Sequence, residues 1–271
     1  MKKKRNLRFL MMALVLSCLV AAMLPVAASA GTQKNGWVKE KNGYCYYVKG
    51  KKVQNQLKKI KGKTYYLGSD GVRKTGWYTV KTKSKGKTVY KAMKFNGSGA
   101  YTGKSQTVNA KLIKKTDSII KSLKIGTGAL TTEQKEAALK KIFTYTKKYG
   151  YGRVMGLNNK TFNKNKVADC AYIMMSKKKG NCYYYASAFA VLAKRATGLP
   201  VRVCWGTSRV FNAKKAQEHA WVEIKLADGS WHIYDPNGAR FSSRKDVETY
   251  GQKASALKSV YKAAKTSELY L

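Results

Sequence analysis

The spacing of apolar residues after residue 105 predicts a series of helices. One set recurs at the three- and four-residue interval of an amphipathic helix: Leu112, Ile113, Ile119, Ile120 and Leu123. A second helix is predicted over TTEQKEAALKKIFTYTKKY, because Thr131 and Gln134 form a capping box at its start. A third helix is predicted over KVADCAYIMM. We expect these helices to build the core and assign them no chemistry.

A fourth helix is predicted within KKKGNCYYYASAFAVLAKRATGLPVRV, residues 177–203. Asn181 is a favourable N-cap, and Gly198 with Pro200 ends the helix. Cys182 then falls at about the first helical position, where unpaired N–H groups and the helix dipole stabilise an anion. We expect the thiolate to be favoured there, which makes Cys182 a candidate nucleophile. The alternatives are a buried apolar role or half of a disulfide. One face of this helix is predicted to be apolar: Ala186, Phe189, Ala190 and Ala193.

A hairpin of two strands is predicted by alternation in EHAWVEIKLADGSWHIYDPN. His219 shares one face with Trp221 and Glu223, and the residues between them are apolar. The loop at 227–229 suits a three-residue turn with glycine in the left-handed position. That loop length sets a register in which Trp221 faces Asp235.

Cys182, His219 and Asp235 together predict nucleophilic catalysis. In this register His219 and Asp235 are diagonal neighbours on one face, about 7–8 Å apart at the backbone, within reach of an imidazole–carboxylate hydrogen bond. Cys182 would attack, His219 would relay the proton and Asp235 would orient the imidazole. His232 lies on the other face and is expected to be structural. Two histidines and no Cys-x-x-Cys spacing indicate no metal site, and no cofactor is expected.

The segment GNCYYYASAFAVLAKRATGLPVRVCWG, with HAWVEI and WHIYDPN after it, resembles the bacterial transglutaminase-like domain. The resemblance covers about residues 105–271 and implies an α+β fold of the papain-like kind, in which a helix-tip cysteine packs on an antiparallel sheet. It implies acyl transfer through a thioester, with Cys182, His219 and Asp235 as catalytic residues. The acceptor is an amine, which gives a crosslink, or water, which gives hydrolysis. The usual G-Q-C-W is G-N-C-Y here, and hydrolysis is expected over crosslinking.

Residues 36–103 contain three units in which a glycine turn, an aromatic pair and a second glycine follow one another. Short alternating runs between glycine turns predict β-hairpins, and a period of about 20 residues is typical of solenoid-like arrays. The pattern resembles the choline-binding or glucan-binding cell-wall repeat, which implies aromatic cages for choline or sugar. The matching aromatic residues are Trp37, Tyr46, Tyr47, Tyr65, Tyr66 and Trp77. The alternative is that these rings only hold adjacent hairpins together.

Residues 1–30 are predicted to be a secretory signal peptide, because a basic start and an apolar run precede Ala28-Ser29-Ala30. After its cleavage no segment is apolar enough to span a membrane. The whole chain has a formal net charge of +42, and such a field concentrates polyanions. For a secreted protein we expect the partner to be a cell-wall polymer that is anionic or bears choline or glycan. The signal peptide argues against nucleic acid.

The cysteines that remain after cleavage are Cys45, Cys170, Cys182 and Cys204. The sequence leaves their pairing open, and a bridge between Cys170 and Cys204 is one possibility.

These observations predict a signal peptide at 1–30, cell-wall-binding hairpin repeats at 31–103 and a catalytic domain at 104–271. The predicted function is a secreted, cell-wall-associated cysteine enzyme of the Gram-positive type that acts on amide bonds of a peptide or protein substrate. One alternative is a papain-like peptidoglycan endopeptidase, which would use the same residue order. The other is a non-catalytic wall-binding or adhesion protein.

Overall fold

The computed structural model describes residues 33–126, 128, 130–152 and 156–271. The predicted signal peptide lies outside this part of the chain. Within the described part, no helix is both long enough and apolar enough to cross a membrane.

The described residues form a mixed α/β fold, and this class was expected from the sequence. The strands are β1 (Gly36–Glu40), β2 (Gly43–Val48), β3 (Lys51–Lys52), β4 (Gln56–Ile60), β5 (Lys63–Leu67), β6 (Gly76–Ser84), β7 (Lys87–Phe95), β8 (Tyr101–Val108), β9 (Gly150–Tyr151), β10 (Lys179–Gly180), β11 (Val201–Ser208), β12 (Gln217–Lys225), β13 (Trp231–Tyr234), β14 (Tyr250–Lys253) and β15 (Tyr261–Glu268). The helices are α1 (Ala110–Ser122), α2 (Thr132–Lys147), α3 (Val167–Lys177), α4 (Cys182–Thr197) and α5 (Pro236–Phe241), with short 3₁₀ turns at Lys164–Lys166 and Ala254–Leu257.

The central sheet has five strands in the order β14-β13-β12-β11-β15, and each neighbouring pair is antiparallel. A three-residue loop joins β12 to β13, and its Gly229 has φ +77°, in the left-handed region that glycine tolerates best. The register pairs Val222 with Tyr234 and Lys225 with Trp231. The predicted hairpin register is therefore confirmed.

Helix α4 packs against one face of this sheet and is buried on almost every side. Fourteen of its sixteen residues are buried, so the predicted single apolar face was too narrow. The reason is its central position: α1, α2 and α3 cover the side of α4 that faces away from the sheet. The small side chains of Ala186, Ala190 and Ala193 permit that close packing.

The helix boundaries follow local capping signals. Helix α2 begins at the predicted capping box, in which Thr131 and Gln134 bond each other's backbone N–H groups. Helix α4 begins after Asn181 and ends at Gly198, which has φ +69°. These caps place the start of α4, and with it Cys182, where the sequence predicted.

The N-terminal strands form three small antiparallel sheets, β1-β2-β3, β4-β5 and β6-β7-β8. Isolated bridges join neighbouring units, such as Cys45 to Val72 and Tyr65 to Ala100. Strand β8 continues to Val108, so the boundary predicted at residue 103 falls inside a strand. The hairpin region therefore extends to the start of α1.

The four described cysteines are free thiols. Cys170 lies in the large core around α4, whereas Cys204 lies in a second cluster on the opposite face of the sheet. The bridge between them that the sequence left open is therefore absent. Burial raises the pKa of Cys170 to about 12, and burial also raises that of Cys204 above its usual range.

The backbone of β15 lies close to Gly206 of β11, and we expect replacement of this glycine to be destabilising. A Cβ there would lie 2.2 Å from the carbonyl oxygen of Lys262 and 2.6 Å from the amide nitrogen of Ala264. Both are backbone atoms, so Gly206→Ala should lower the free energy of unfolding by about 1–3 kcal/mol.

Urea denaturation of both proteins measures this loss. Gly97→Ala is the matched control, because nothing lies within 4 Å of its Cβ position. A Gly206→Ala variant as stable as the control would contradict the close approach of the two strands.

Candidate active site

Cys182 is the first residue of α4. The Asn181 side chain caps the helix by accepting the Tyr183 N–H at 3.2 Å. Gly180 precedes the cap, and any Cβ there would lie 2.6 Å from the Tyr184 Cβ, so only glycine fits this turn. The thiol is therefore held at the positive end of a sixteen-residue helix.

His219 and Asp235 form a direct hydrogen bond. His219 Nε2 lies 2.7 Å from Asp235 Oδ2, and each side chain is only 1% exposed. The β12–β13 register places them diagonally on one face of the sheet, as the sequence predicted. The Cys182 side chain also lies close enough to His219 to help raise the pKa of the imidazole. Because Nε2 is taken by Asp235, Nδ1 is the ring nitrogen available to the sulfur.

Asp235 is itself held by two further donors. The Gly238 N–H donates to Oδ1 at 2.8 Å, which makes Asp235 the N-cap of α5. The Tyr261 hydroxyl donates to Oδ2 at 3.0 Å. The carboxylate therefore has a fixed orientation before it bonds His219.

Tyr261 was missed by the sequence analysis. It belongs to β15, at the far edge of the sheet from β13, and no local motif connects it with Asp235. The alternation of polar and apolar residues near the C-terminus is the one sequence signal for this strand, and it does not indicate that Tyr261 bonds Asp235. Burial and the neighbouring Asp235 charge keep the pKa of Tyr261 well above its usual value, so it remains a donor.

The surroundings of His219 favour its charged form. Burial lowers the pKa of His219, but the Asp235 carboxylate and the Cys182 sulfur outweigh that effect, and the pKa rises to about 10. Phe211 packs edge-on against the imidazole at 5.1 Å and Trp221 stacks on it at 6.3 Å. These rings limit water around the pair.

His232 lies on the other face of β13 and is bonded within its own region. Its Nδ1 is 2.7 Å from the Gly251 carbonyl oxygen, and its Nε2 is 2.8 Å from the Ser230 hydroxyl. It therefore has the structural environment that the sequence predicted.

Two carboxylates of β12, the strand that carries His219, are hydrogen-bonded to other residues. Glu223 is buried, accepts from Arg202 Nε at 2.9 Å and accepts from Trp221 Nε1 at 3.1 Å. Glu218 is exposed and accepts the Asn159 N–H at 3.2 Å. Neither is hydrogen-bonded to His219. The Arg202 guanidinium is therefore held by Glu223.

The aromatic residues predicted to bind a wall ligand do not form one cage. Trp37 packs edge-on against Tyr46 at 5.1 Å and against Tyr65 at 5.0 Å, with the Arg73 guanidinium 5.5 Å from its ring. An internal cation therefore already lies over this group. In that arrangement the rings hold β1, β2 and β5 together.

The other three aromatic residues of that set lie apart from this group. Tyr47 is buried and bonds Glu40, with the Lys34 and Lys52 amines on its ring. Tyr66 packs on Tyr78 at 5.2 Å. Trp77 packs on Tyr270, near the C-terminus, at 4.7 Å.

No group of three or more histidine, cysteine or carboxylate side chains is placed to hold a metal ion in the described part of the chain.

Residues 123–236 match the family model described as the transglutaminase-like superfamily. A transglutaminase-like superfamily domain therefore occupies these residues, which include Cys182, His219 and Asp235. No curated protein matches the chain.

Solved structures that are similar to parts of the chain include the three that follow. A protein from Cytophaga hutchinsonii, designated a candidate cysteine protease, is 17% identical over 60% of this chain and 54% of its own, with a TM-score of 0.31. The periplasmic domain of TgpA from Pseudomonas aeruginosa is 20% identical over 48% of this chain and 42% of its own, with a TM-score of 0.31. Rad4–Rad23 bound to a 6-4 photoproduct UV lesion is 12% identical over 59% of this chain and 41% of its own, with a TM-score of 0.34. The chain spans about half the length of these structures or less.

We expect His219 to remain protonated well above neutral pH. An unfolded histidine titrates near pH 6.5, and the pKa of folded His219 is about 10. The stabilising contribution of its charge is therefore complete below about pH 6.5 and is lost as the pH rises towards 10. In Asp235→Asn the pKa of His219 should fall, because only the Cys182 sulfur then opposes the effect of burial.

Nitrogen NMR of the imidazole rings between about pH 5 and 10.5 checks this expectation. The chain has only two histidines, so a His232→Gln variant assigns both signals. A wild-type His219 that titrates near pH 6.5, or a His219 pKa that Asp235→Asn leaves unchanged, would contradict the role of Asp235 in holding the imidazole charged.

Proposed function

We propose that this chain, whose residues 123–236 form a transglutaminase-like superfamily domain, is a cysteine enzyme that cleaves amide bonds through a thioester. One observation carries the proposal: the buried hydrogen bond from His219 to Asp235, with the Cys182 sulfur at the start of α4 close enough to the imidazole to raise its pKa. This arrangement supplies a nucleophile, a proton carrier and an orienting carboxylate. Cys182 and His219 are the catalytic residues, and Asp235 acts through His219.

The first half-reaction forms the thioester. The Cys182 thiolate attacks the amide carbonyl carbon, and the carbonyl oxygen becomes an oxyanion. Asn181 accepts the N–H groups of the three residues after Cys182, which leaves the Cys182 N–H at the start of α4 available to that charge. Protonated His219 then gives its proton to the leaving nitrogen as the carbon–nitrogen bond breaks. A free amine leaves, and the acyl group stays on the sulfur.

The second half-reaction releases the acyl group. His219 is now neutral and accepts a proton from water as the water oxygen attacks the thioester. The carbon–sulfur bond breaks, a carboxylic acid forms, and the sulfur returns to the thiolate beside protonated His219. Asp235 keeps Nε2 bonded throughout, so Nδ1 stays directed at the reacting atoms.

Water is the principal acceptor in this proposal. Tyr183 stands where the family usually has tryptophan after the nucleophile, and it is only 2% exposed. Its hydroxyl donates to Asn159 Oδ1 at 2.8 Å, and its ring packs on Phe162 at 4.8 Å. Tyr183 therefore serves internal packing, and this position offers no exposed indole to an amine substrate.

The enzyme works outside the cell at the wall in this proposal. The apolar leader predicted at residues 1–30 supports secretion. Residues 31–103 contain 18 basic and two acidic side chains, which supports attraction to an anionic wall polymer. The substrate is then a peptide or protein held in the same layer.

We expect Cys182→Ala to abolish product formation. The purified protein is incubated with cell-wall material and surface proteins of its source, together with a labelled primary amine, and the products are identified by mass spectrometry. New peptide termini or deamidated glutamine without label indicate hydrolysis, and label joined to glutamine indicates transfer.

Cys170→Ala is the matched control, because Cys170 is a buried thiol outside the candidate site. It should retain activity. Identical products from the wild type and from Cys182→Ala would contradict the proposal and favour a binding protein.

Tyr261→Phe should reduce kcat about tenfold and leave KM nearly unchanged. The change removes one donor from Asp235 and keeps the ring packed, so its effect reaches the substrate only through the orientation of His219. We expect loss of this hydrogen bond to a charged group to cost about 1.4 kcal/mol, which corresponds to a factor of ten in rate.

Steady-state kinetics of the folded variant measure kcat and KM, and its unfolding midpoint verifies that it is folded. Tyr270→Phe is the control, because that tyrosine packs on Trp77, away from Asp235. An unchanged kcat for Tyr261→Phe would remove Tyr261 from the positioning of the site.

A further inference from the structure

A cavity of about 870 Å³ lies between the hairpin region and the helices. The hairpin side contributes Tyr66, Trp77 and Tyr78, and the helical side contributes Asp117 and Arg195. The cavity adjoins the C-terminal end of α4, whereas Cys182 begins that helix. At 1.5 Å per residue, the twelve positions between Cys182 and Lys194 separate the two places by about 18 Å. The cavity is therefore distinct from the candidate active site.

The lining of this cavity is strongly basic. Seven lysine or arginine side chains line it, against one aspartate. Asp117 pairs with Arg195 at 2.8 Å, and Asp70 beside the cavity pairs with Lys74 at 2.8 Å. These two pairs hold their cations in fixed positions and leave the other basic groups uncompensated.

Five of the lining cations have no carboxylate partner within 4 Å among the described residues: Arg73, Lys81, Lys121, Lys135 and Lys194. They come from both sides of the cavity, since Arg73 and Lys81 belong to the hairpin region and the other three to the helical part. Positive charges that converge on a concave surface raise the local concentration of anions. The cavity therefore favours a negatively charged occupant.

Aromatic rings form part of the cavity wall. Tyr66 packs on Tyr78, and Trp77 is fixed by Tyr270, so their positions are set by other rings. Rigid rings with a few charged groups around them are typical of sites for compact ligands, and the cavity volume lies within the range of about 300–1,000 Å³ for such sites. A ring-shaped ligand that carries negative charge fits both features.

We propose that this cavity binds an acidic saccharide unit of a glycan or glycopolymer, whose negative charge is a phosphate or a carboxylate. The proposal rests on the wall association proposed above and identifies where the polymer is held. It does not depend on the thioester chemistry. Two of the six predicted ligand-binding aromatics, Tyr66 and Trp77, line this cavity, whereas Trp37 is covered by Arg73.

Isothermal titration calorimetry of the mature Cys182→Ala protein tests the proposal, because that variant cannot turn over a substrate. The probes are a phosphorylated dextran oligomer for phosphate, an oligogalacturonate for carboxylate, a neutral dextran oligomer and a single-stranded oligonucleotide. We expect one of the two acidic probes to bind and the dextran not to bind. Tighter binding of the oligonucleotide than of either acidic probe would overturn the proposal in favour of a nucleic-acid site.

The double variant Lys81→Gln with Lys121→Gln should weaken binding of the acidic probe at least tenfold. The control is Lys59→Gln with Lys265→Gln, which removes the same charge from exposed lysines that do not line the cavity. This control should change the Kd less than threefold. Equal weakening by both double variants would overturn the proposal, because the general charge of the protein would then explain binding. Thermal unfolding verifies that each variant is folded.

Sedimentation with isolated cell walls separates this proposal from the proposed wall association. If the Lys81 and Lys121 variant still sediments like the wild type, the association stands and the cavity is not its site. If the wild type does not sediment, the wall association itself is wrong.

Discussion

The register between β12 and β13 is the constraint on which the candidate site depends. The Leu226 N–H donates to the Ser230 carbonyl at 3.1 Å and closes the three-residue loop, in which Gly229 takes a left-handed conformation. A shift by one residue would turn Asp235 to the opposite face of the sheet from His219. The loop therefore determines whether His219 and Asp235 lie on the same face of the sheet and can form their hydrogen bond.

The buried pair of His219 and Asp235 is stable only because its surroundings complete it. A buried carboxylate without partners is strongly unfavourable, and here Gly238, Tyr261 and His219 all donate to Asp235. The imidazole is surrounded by Phe211 and Trp221, so little water competes for its hydrogen bonds. Phe211, Trp221 and Tyr261 thus contribute to the protonation state of the His219 imidazole.

Local sequence determined the parts of this site that could be predicted. The N-cap at Asn181, the position of Cys182 and the pairing of His219 with Asp235 follow from short-range signals, namely caps, alternation and loop length. Tyr261 could not be predicted, because it reaches Asp235 from a strand at the far edge of the sheet. The burial of α4 on all sides was also missed, since it depends on how three other helices pack around it. The basic cavity could not be foreseen either, because it needs side chains from two distant parts of the chain in one place.

The central claim is that an acyl group is carried on the Cys182 sulfur, and trapping that intermediate tests it most directly. The protein is mixed with an activated acyl peptide, quenched in acid within the first turnover, digested and analysed by mass spectrometry. The account predicts an acyl adduct on the peptide that contains Cys182 in the wild type, with a smaller yield in His219→Ala. Product formation without an adduct, or an adduct on Cys45, Cys170 or Cys204 instead, would contradict it.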